Sequence, residues 1–359
     1  MRLALALLGA LGLAMGGGAA LVVADGERVR HLAVPILSEV AERDASGGAT
    51  PVPLPGCALV ERARVDGRVT ALHEAGGALF IGTFDAGVVV TTPDGRSALD
   101  LEGRERFVNA LVEDGGGMWV GTQRGAVLFR DGRRIAIAAP GVAVTSFARA
   151  GDTLLAGTAR GLVRLLPGGR SEPLALEGEE PTPRVNALAV ARSTLWIGTS
   201  AGALAVPLAP DGGLAGPARR IPLVFGAPPA RTNVVTALAP LGDGALAGTD
   251  DGGLVRLGPA GAVAALRLAA ARDNDVNPGA MLADGEHVLA GTQRGGLLAV
   301  EVEREAFAVF RPDVTASLAI SAVARGTHGW LAGTSDGRVL ELQCPHAAAS
   351  ERRLRTGVR

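Results

Sequence analysis

Seven copies of one short pattern run from residue 79 to residue 337: an apolar pair, Gly-Thr, two variable residues and Gly. The copies read LFIGTFDAG at 79–87, MWVGTQRG at 118–125, LLAGTARG at 154–161, LWIGTSAG at 195–202, ALAGTDDG at 245–252, VLAGTQRG at 288–295 and WLAGTSDG at 330–337. Their Gly-Thr pairs begin at Gly82, Gly121, Gly157, Gly198, Gly248, Gly291 and Gly333, so successive copies are 39, 36, 41, 50, 43 and 42 residues apart. A period of about 40 residues describes an array of one supersecondary unit, in which each unit buries its apolar face against a neighbour and the terminal units need special treatment.

Within a copy the apolar residues alternate over short runs punctuated by Gly, as half-buried strands and hairpins require. In the second copy the strands fall at 107–113, 117–122, 125–130 and 133–138. Thr-x-x-Gly reads as a tight turn closed by a residue at positive φ, and its hydroxyl can bond a backbone group of the same turn. Six copies have this four-residue form, and the first carries Ala86 as an insertion. The Gly before each Thr marks close approach of a neighbouring sheet. Four short antiparallel strands per 40 residues, seven times over, predict an all-β chain folded as a seven-bladed β-propeller. A β-solenoid is the rival, but its coils are usually shorter and do not need four strands each.

The ends of the array favour the propeller. The seventh copy offers strands at 319–324, 328–333 and 337–342 and no fourth, whereas CALVERARV at 57–65 is a spare strand upstream of the first copy. If this N-terminal strand completes the last blade, the ring closes on itself and no sheet edge is left at the seam. Cys57 and Cys344 would then lie side by side. They are the only two cysteines of the chain, 287 positions apart, and a disulfide between them is expected in an exported protein, with two free core thiols as the alternative.

Residues 3–24 are uncharged and follow Arg2, the arrangement of an export signal, and the run is also just long enough to span a bilayer as a helix. Cleaved signal peptide and retained membrane anchor stay open as readings, and both place the remainder outside the cytoplasm. Residues 25–56 read as a linker, with a short helix over 25–42 interrupted at Pro35 and an extended stretch at 46–56. LPGC at 54–57 resembles a lipoprotein cleavage box but lies some 30 residues past the apolar run. The propeller is thus expected over 57–344 and a C-terminal tail over 345–359. A net charge of -1 gives no footprint for nucleic acid, and all 35 basic residues are Arg, which we read as compositional drift.

VNALVEDGGGMWVGTQRGAVLF, VTALHEAGGALFIGTFDAGVVV and VNALAVARSTLWIGTSAGALAV resemble the repeat of the two-component-regulator propellers, which form extracytoplasmic sensor regions of hybrid histidine kinases. The resemblance covers about 57–344 and rests on Val-x-Ala-Leu followed by Trp-Ile/Val-Gly-Thr. In that family propellers commonly come in pairs ahead of a further β-domain, a membrane helix and a kinase, whereas this chain carries one propeller and 15 residues after Cys344. The resemblance implies fold and compartment more than it implies signalling.

Trp119, Trp196 and Trp330, with Phe80 in the first copy, are read as one recurring position on the second strand. Packing between blades explains them better than a sugar or quinone platform, because large aromatics dominate core burial. The tryptophan-docking repeat of pyrroloquinoline-quinone propellers is not found, and no cofactor is expected. The histidines His31, His73, His287, His328 and His346 show no metal-ligand spacing. Asp273, Asp275 and Asn277 in RDNDVNPG resemble the start of a calcium loop, but Pro278 stands where an EF-hand requires Gly, so neither a metal site nor a catalytic residue is assigned.

What remains is the face carrying the second-to-third hairpins and the loops between blades. Arg68, Arg104, Arg106, Asn109, Arg124, Arg160, Arg184 and Asn186 place basic and amide groups there on blades one to four. Arg231, Asn233, Asp250, Asp251, Asp273, Asp275, Asn277, Arg294, Asp313 and Asp336 make blades five to seven lean acidic, with Glu179 and Glu180 interrupting the division. Nine of these, Arg68, Arg106, Asn109, Arg124, Arg184, Asn186, Asn233, Asp275 and Asn277, are the expected contacts to a protein or to an acidic small-molecule or glycan ligand. The reading is a non-enzymatic extracytoplasmic sensor or scaffold module. The alternative is a lyase or hydrolase on the same scaffold, its groups converging from separate blades.

Overall fold

The structure is a computed structural model, and it describes residues 21–23, 30–32, 49–179, 183–223, 233–270, 273–285, 287–303 and 306–344. Seven four-stranded antiparallel units follow one another around a ring. Blade 1 comprises Val69–Ala75, Ala78–Thr83, Val88–Thr92 and Gly95–Ala98, and blade 2 comprises Val108–Asp114, Gly117–Thr122, Gly125–Arg130 and Arg133–Ala138. Blades 3 to 6 begin with the innermost strands Val144–Ala150, Ala187–Ala191, Val235–Leu241 and Val276–Asp284. Blade 7 has Ile320–Arg325, Trp330–Thr334 and Arg338–Gln343, and its outer strand is Ala58–Arg64, paired antiparallel from Gln343 opposite Ala58 to Arg338 opposite Arg64. The spare N-terminal strand therefore closes the last blade. Cys57 and Cys344 are disulfide-bonded with Cα atoms 4.2 Å apart.

Each blade docks onto the next through one socket. A Cβ built on the Gly of Gly-Thr would lie 2.7 Å from Val108 at Gly82, 3.1 Å from Val144 at Gly121 and 2.5 Å from Val185 at Gly157. It would lie 2.5 Å from Val235 at Gly198, 2.5 Å from Val276 at Gly248, 2.7 Å from the Ile320 carbonyl at Gly291 and 2.4 Å from Val69 at Gly333. In every case the obstacle belongs to the following blade's innermost strand or the residue leading into it. The close approach inferred from the sequence is thus the blade–blade contact itself, and only Gly leaves room for it.

Three expectations are corrected. The hairpin after Gly-Thr has the four-residue form in three copies rather than six, and the longer form expected of the first copy recurs in three others. Thr122, Thr158 and Thr199 pair with Gly125, Gly161 and Gly202, but Thr83, Thr249, Thr292 and Thr334 bond the carbonyl four residues on, so four hairpins carry a three-residue loop. Trp330 does not share the position of Trp119 and Trp196. It stands three residues before its Gly rather than two, and because strand side chains alternate, the shift turns it to the other face of the sheet. There it packs with Leu289 and Ala299 of blade 6 and donates its indole N–H to Asp284, whereas Trp196 packs forward on Val235 and Ala247 of blade 5. Lastly, Arg30–Leu32 is a strand, paired antiparallel with Leu21–Val23 in a compact unit separate from the one that starts at residue 44, so the expected helix does not include it. The rest of that expected helix, most of residues 3–24 and the tail 345–359 lie outside the described residues.

The extended stretch at 46–56 is more than a spacer where it is described. Ala49 bridges Leu268 beside blade 5, and Val52–Leu54 adds a parallel fifth strand to Phe310–Pro312 of blade 6. The chain thus runs along blades 5 and 6 before completing blade 7.

Candidate functional site

Strand order decides which groups share a face. In every blade the second-to-third hairpin and the loop into the next blade lie at one end of the strands, and the first-to-second hairpin and, in blades 1 to 6, the third-to-outer connection lie at the other. The hairpin face is built to be stiff. Each Gly-Thr hydroxyl donates to a carbonyl across its own hairpin, at 2.8 Å in Thr122, Thr158 and Thr199 and 2.9 Å in Thr83, Thr249 and Thr292. These threonines are buried, so the turns are anchored from below.

At the mouth of the axis a second set of bonds closes a ring. The second residue of each innermost strand, or in blade 4 the residue just before it, donates its side chain to the carbonyl that starts the next blade. Thr70 reaches Val108 at 2.7 Å, Asn109 reaches Val144 at 2.7 Å, Thr145 reaches Val185 at 2.8 Å and Asn186 reaches Val235 at 3.1 Å. Thr236 reaches Val276 at 2.8 Å, Asn277 reaches Ile320 at 2.6 Å and Ser321 returns to Val69 at 2.6 Å. Thr alternates with Asn from blade 1 to blade 6 and Ser follows in blade 7, so Asn109, Asn186 and Asn277 have their amide N–H groups committed to blade docking. Each amide oxygen in turn faces a donor: Gln123 at 3.4 Å, Arg184 at 3.2 Å and Arg68 at 2.6 Å respectively. Asn233 has a different duty, accepting the N–H of Leu223 at 2.8 Å while its carbonyl takes the N–H of Gly202. Asn274 performs the same task at the next junction through Leu268 and Gly253 and was not singled out in the sequence. The shared signal is Asn two residues before the Val that opens an innermost strand.

The arginines differ among themselves. Arg68 leaves blade 1 and reaches Asn277 of blade 6 over the start of blade 7. Burial pushes its guanidinium pKa down, and its Nε is buried without a hydrogen-bond partner. Arg106, Arg124, Arg160 and Arg184 are exposed and form no ion pair among the described residues. Glu179, which broke the basic run in the sequence, is buried and neutralised by Arg220, and Glu105 is held by Arg134 through bonds of 2.7 and 2.8 Å. Asp273 is likewise paired, with Arg311, and Asp336 with Arg338. The exposed side of blades 2 to 4 is therefore more basic than residue counting suggested. Arg231 and Glu180 lie outside the described residues.

The described histidines sit at the opposite end of the strands, where His73 meets Glu113 at 3.3 Å and His287 meets Glu301 at 2.6 Å. Among the described residues no three His, Cys, Asp or Glu side chains are grouped to hold a metal ion. Two clefts open on that opposite face, one of about 260 Å³ between blades 1 and 2 and one of about 180 Å³ between blades 3 and 4. No described helix is long and apolar enough to cross a membrane.

The chain matches no protein-family model and no curated protein. Solved structures do resemble it. The extracellular domain assigned to the hybrid two-component system BT4673 of B. thetaiotaomicron superposes with a TM-score of 0.58 at 19% identity over 82% of this chain. The corresponding domain of BT3049 from the same organism gives 0.60 at 18% identity over 81%. This chain spans about two fifths of their length, 39% and 41%. Virginiamycin B lyase from Staphylococcus aureus is as similar in shape, with a TM-score of 0.63 at 8% identity over 80% of this chain and 99% of that one. At these identities the likeness is one of fold, and the chain is an all-β, seven-bladed propeller.

Proposed function

We propose that this protein is a non-catalytic extracytoplasmic binding module, a sensor or scaffold whose hairpin-and-loop face engages an acidic partner. The partner is a protein surface or an acidic small molecule or glycan. The observation that carries the reading is Arg68, a half-buried cation at the mouth of the axis whose recorded partner is the neutral amide of Asn277. A buried charge is ordinarily matched by an opposite one, as Glu105, Glu179 and Asp273 are here. An incoming carboxylate would supply that match, and exposed Arg106, Arg124 and Arg184 offer planar, two-pronged contacts around it. Export is supported by the uncharged run after Arg2, and the sensor role by the likeness to two-component extracellular domains. The likeness to a lyase supports the enzyme alternative, but the described histidines lie on the other face.

The test is capture of the partner from the native envelope, with binding then measured for the variants R106E/R184E and Arg68→Met. Each lost contact should weaken binding by about 2 kcal/mol where the pair is desolvated and by under about 1 kcal/mol where it is exposed. The double reversal should abolish capture with the melting temperature nearly unchanged. Capture that survives it but fails when the opposite face is altered would refute the assignment of the face.

A further inference from the structure

The cleft between blades 1 and 2 lies on the face opposite the arginines and is independent of the reading above. Phe80, Leu99, Met118 and Phe129 form its floor, and Glu113 and Asp131 stand at its mouth. Its origin is visible in the repeat. Two residues before the Gly of Gly-Thr stand Phe80, Trp119, Leu155, Trp196, Leu246, Leu289 and Leu331. The last six are buried, and Phe80 alone is partly exposed. Elsewhere this side chain fills the space between blades, whereas here a void of about 260 Å³ remains beside it. Side-chain carbons built on Gly76, Gly116 or Gly132 would meet nothing within 4 Å, so the neighbouring turns do not close the mouth.

The chemistry of the lining selects its occupant. An apolar void on the order of 150 Å³ takes a benzene ring, so this cleft holds an aromatic ring with a short chain but falls below the size of typical drug-like pockets. Two phenylalanines and a thioether favour an aromatic guest, edge-on or stacked. The polar groups at the mouth are acidic. Glu113 engages His73 only through Oε2, at 3.3 Å, leaving Oε1 open, and Asp131 is exposed without a side-chain partner among the described residues. Arg149, which reaches the Glu113 carbonyl, is already paired with Asp114, and Arg130 and Arg133, which flank Asp131, do not line the cleft, Arg130 alternating with cleft-lining Phe129 along its strand. We propose that this cleft is a second binding site, specific for a small arylalkyl ammonium: the ring on Phe80, Met118 and Phe129, the ammonium between Glu113 and Asp131.

Calorimetric titration of the whole protein with 4-phenylbutylammonium, 4-phenylbutanol and 4-phenylbutyrate at matched ionic strength tests it. The cation should bind saturably with one site, at least tenfold tighter than the alcohol, and the carboxylate should be weakest. Phe80→Trp, which places in blade 1 the side chain that fills the equivalent space in blades 2 and 4, should abolish binding of all three. E113Q/D131N should keep binding of the alcohol while removing the tenfold preference for the cation, and carries the test if the tryptophan variant does not fold. R106E/R184E should bind the cation as the native protein does, which separates this site from the arginine face. Equal affinity for the three probes, no saturable binding of the cation at millimolar concentration, or unaltered binding in Phe80→Trp would overturn the proposal.

Discussion

The junction between blades 4 and 5 and the seam between blades 7 and 1 use the same two contacts and differ in how the blade behind them is assembled. At the first, Val235 fills the socket of Gly198 and Asn186 bonds the Val235 carbonyl at 3.1 Å. At the second, Val69 fills the socket of Gly333 and Ser321 bonds the Val69 carbonyl at 2.6 Å. At both, the chain runs from the outer strand of one blade into the innermost strand of the next, but Trp196 is buried between blades 4 and 5. Blade 7 has no outer strand continuous in sequence with its other three and no tryptophan reaching forward. It has instead a strand from the far end of the sequence, a disulfide, and Arg62 of that strand held by buried Glu341 at 2.9 Å and by Glu74 of blade 1 at 3.2 Å. Docking contacts are thus a property of the repeat, while closure is a property of the ends.

The comparison breaks first at the covalent link. Replacing both cysteines by serine frees a loop of 287 residues in the unfolded chain, and the loop-entropy argument sets the loss of stability at about 5 kcal/mol at most. Urea unfolding of C57S/C344S against the native oxidised protein measures it, and reduction should reproduce the effect. A change below about 1 kcal/mol would mean that the closing strand and its ion pairs hold the seam without the bond.

The sockets offer the next effect. Gly198→Ala and Gly333→Ala each push a methyl against a valine of the following blade, and overpacking of this kind costs about 2 kcal/mol. The two should be alike, because the socket is the same at both junctions. In the background of Gly198→Ala, Val235→Ala removes the obstacle, so the double variant should be more stable than additivity of the single changes predicts. Strict additivity would show that the two residues do not share one space.

Blade number, the seam and the disulfide were legible in the sequence because each follows from counting: seven Gly-Thr pairs, one strand too few at the end, one too many at the start, two cysteines. The side chains at the mouth of the axis were harder to read. Val-Asn at 108–109, 185–186 and 276–277 looked like polar groups offered to a ligand, yet the same position holds Thr70, Thr145, Thr236 and Ser321, and what these types share is a short donor able to reach the next blade. The face of Trp330 was lost to a shift of one residue, which alternation converts into opposite packing. The cleft beside Phe80 has no motif at all, since it follows from one partly exposed side chain at a position that is buried in the other six copies.

The smallest effect concerns the ion pair at a junction the chain already connects. Glu105 sits in the segment that leads from blade 1 into blade 2 and is bonded through both oxygens to Arg134 of blade 2's outer strand. Burial alone would raise its pKa, but the hydrogen bonds and charge of Arg134 and the backbone bond at Glu102 outweigh it and hold the carboxyl below the usual range. With the folded value below the unfolded one of about 4.3, the folded state binds its proton less readily. The contribution to stability is therefore complete above about pH 5 and fades as the pH falls through the folded value. Glu105→Gln should cost about 1 kcal/mol at pH 7, a modest figure because Arg134 is about a third exposed and keeps its hydration when the partner is lost. The two proteins should converge in stability as the pH is lowered through the folded value, where the native carboxyl becomes neutral too. A difference that stays constant from pH 7 down through that value would assign the effect of Glu105 to packing and leave Arg62 at the seam as the ion pair that matters for holding blades together.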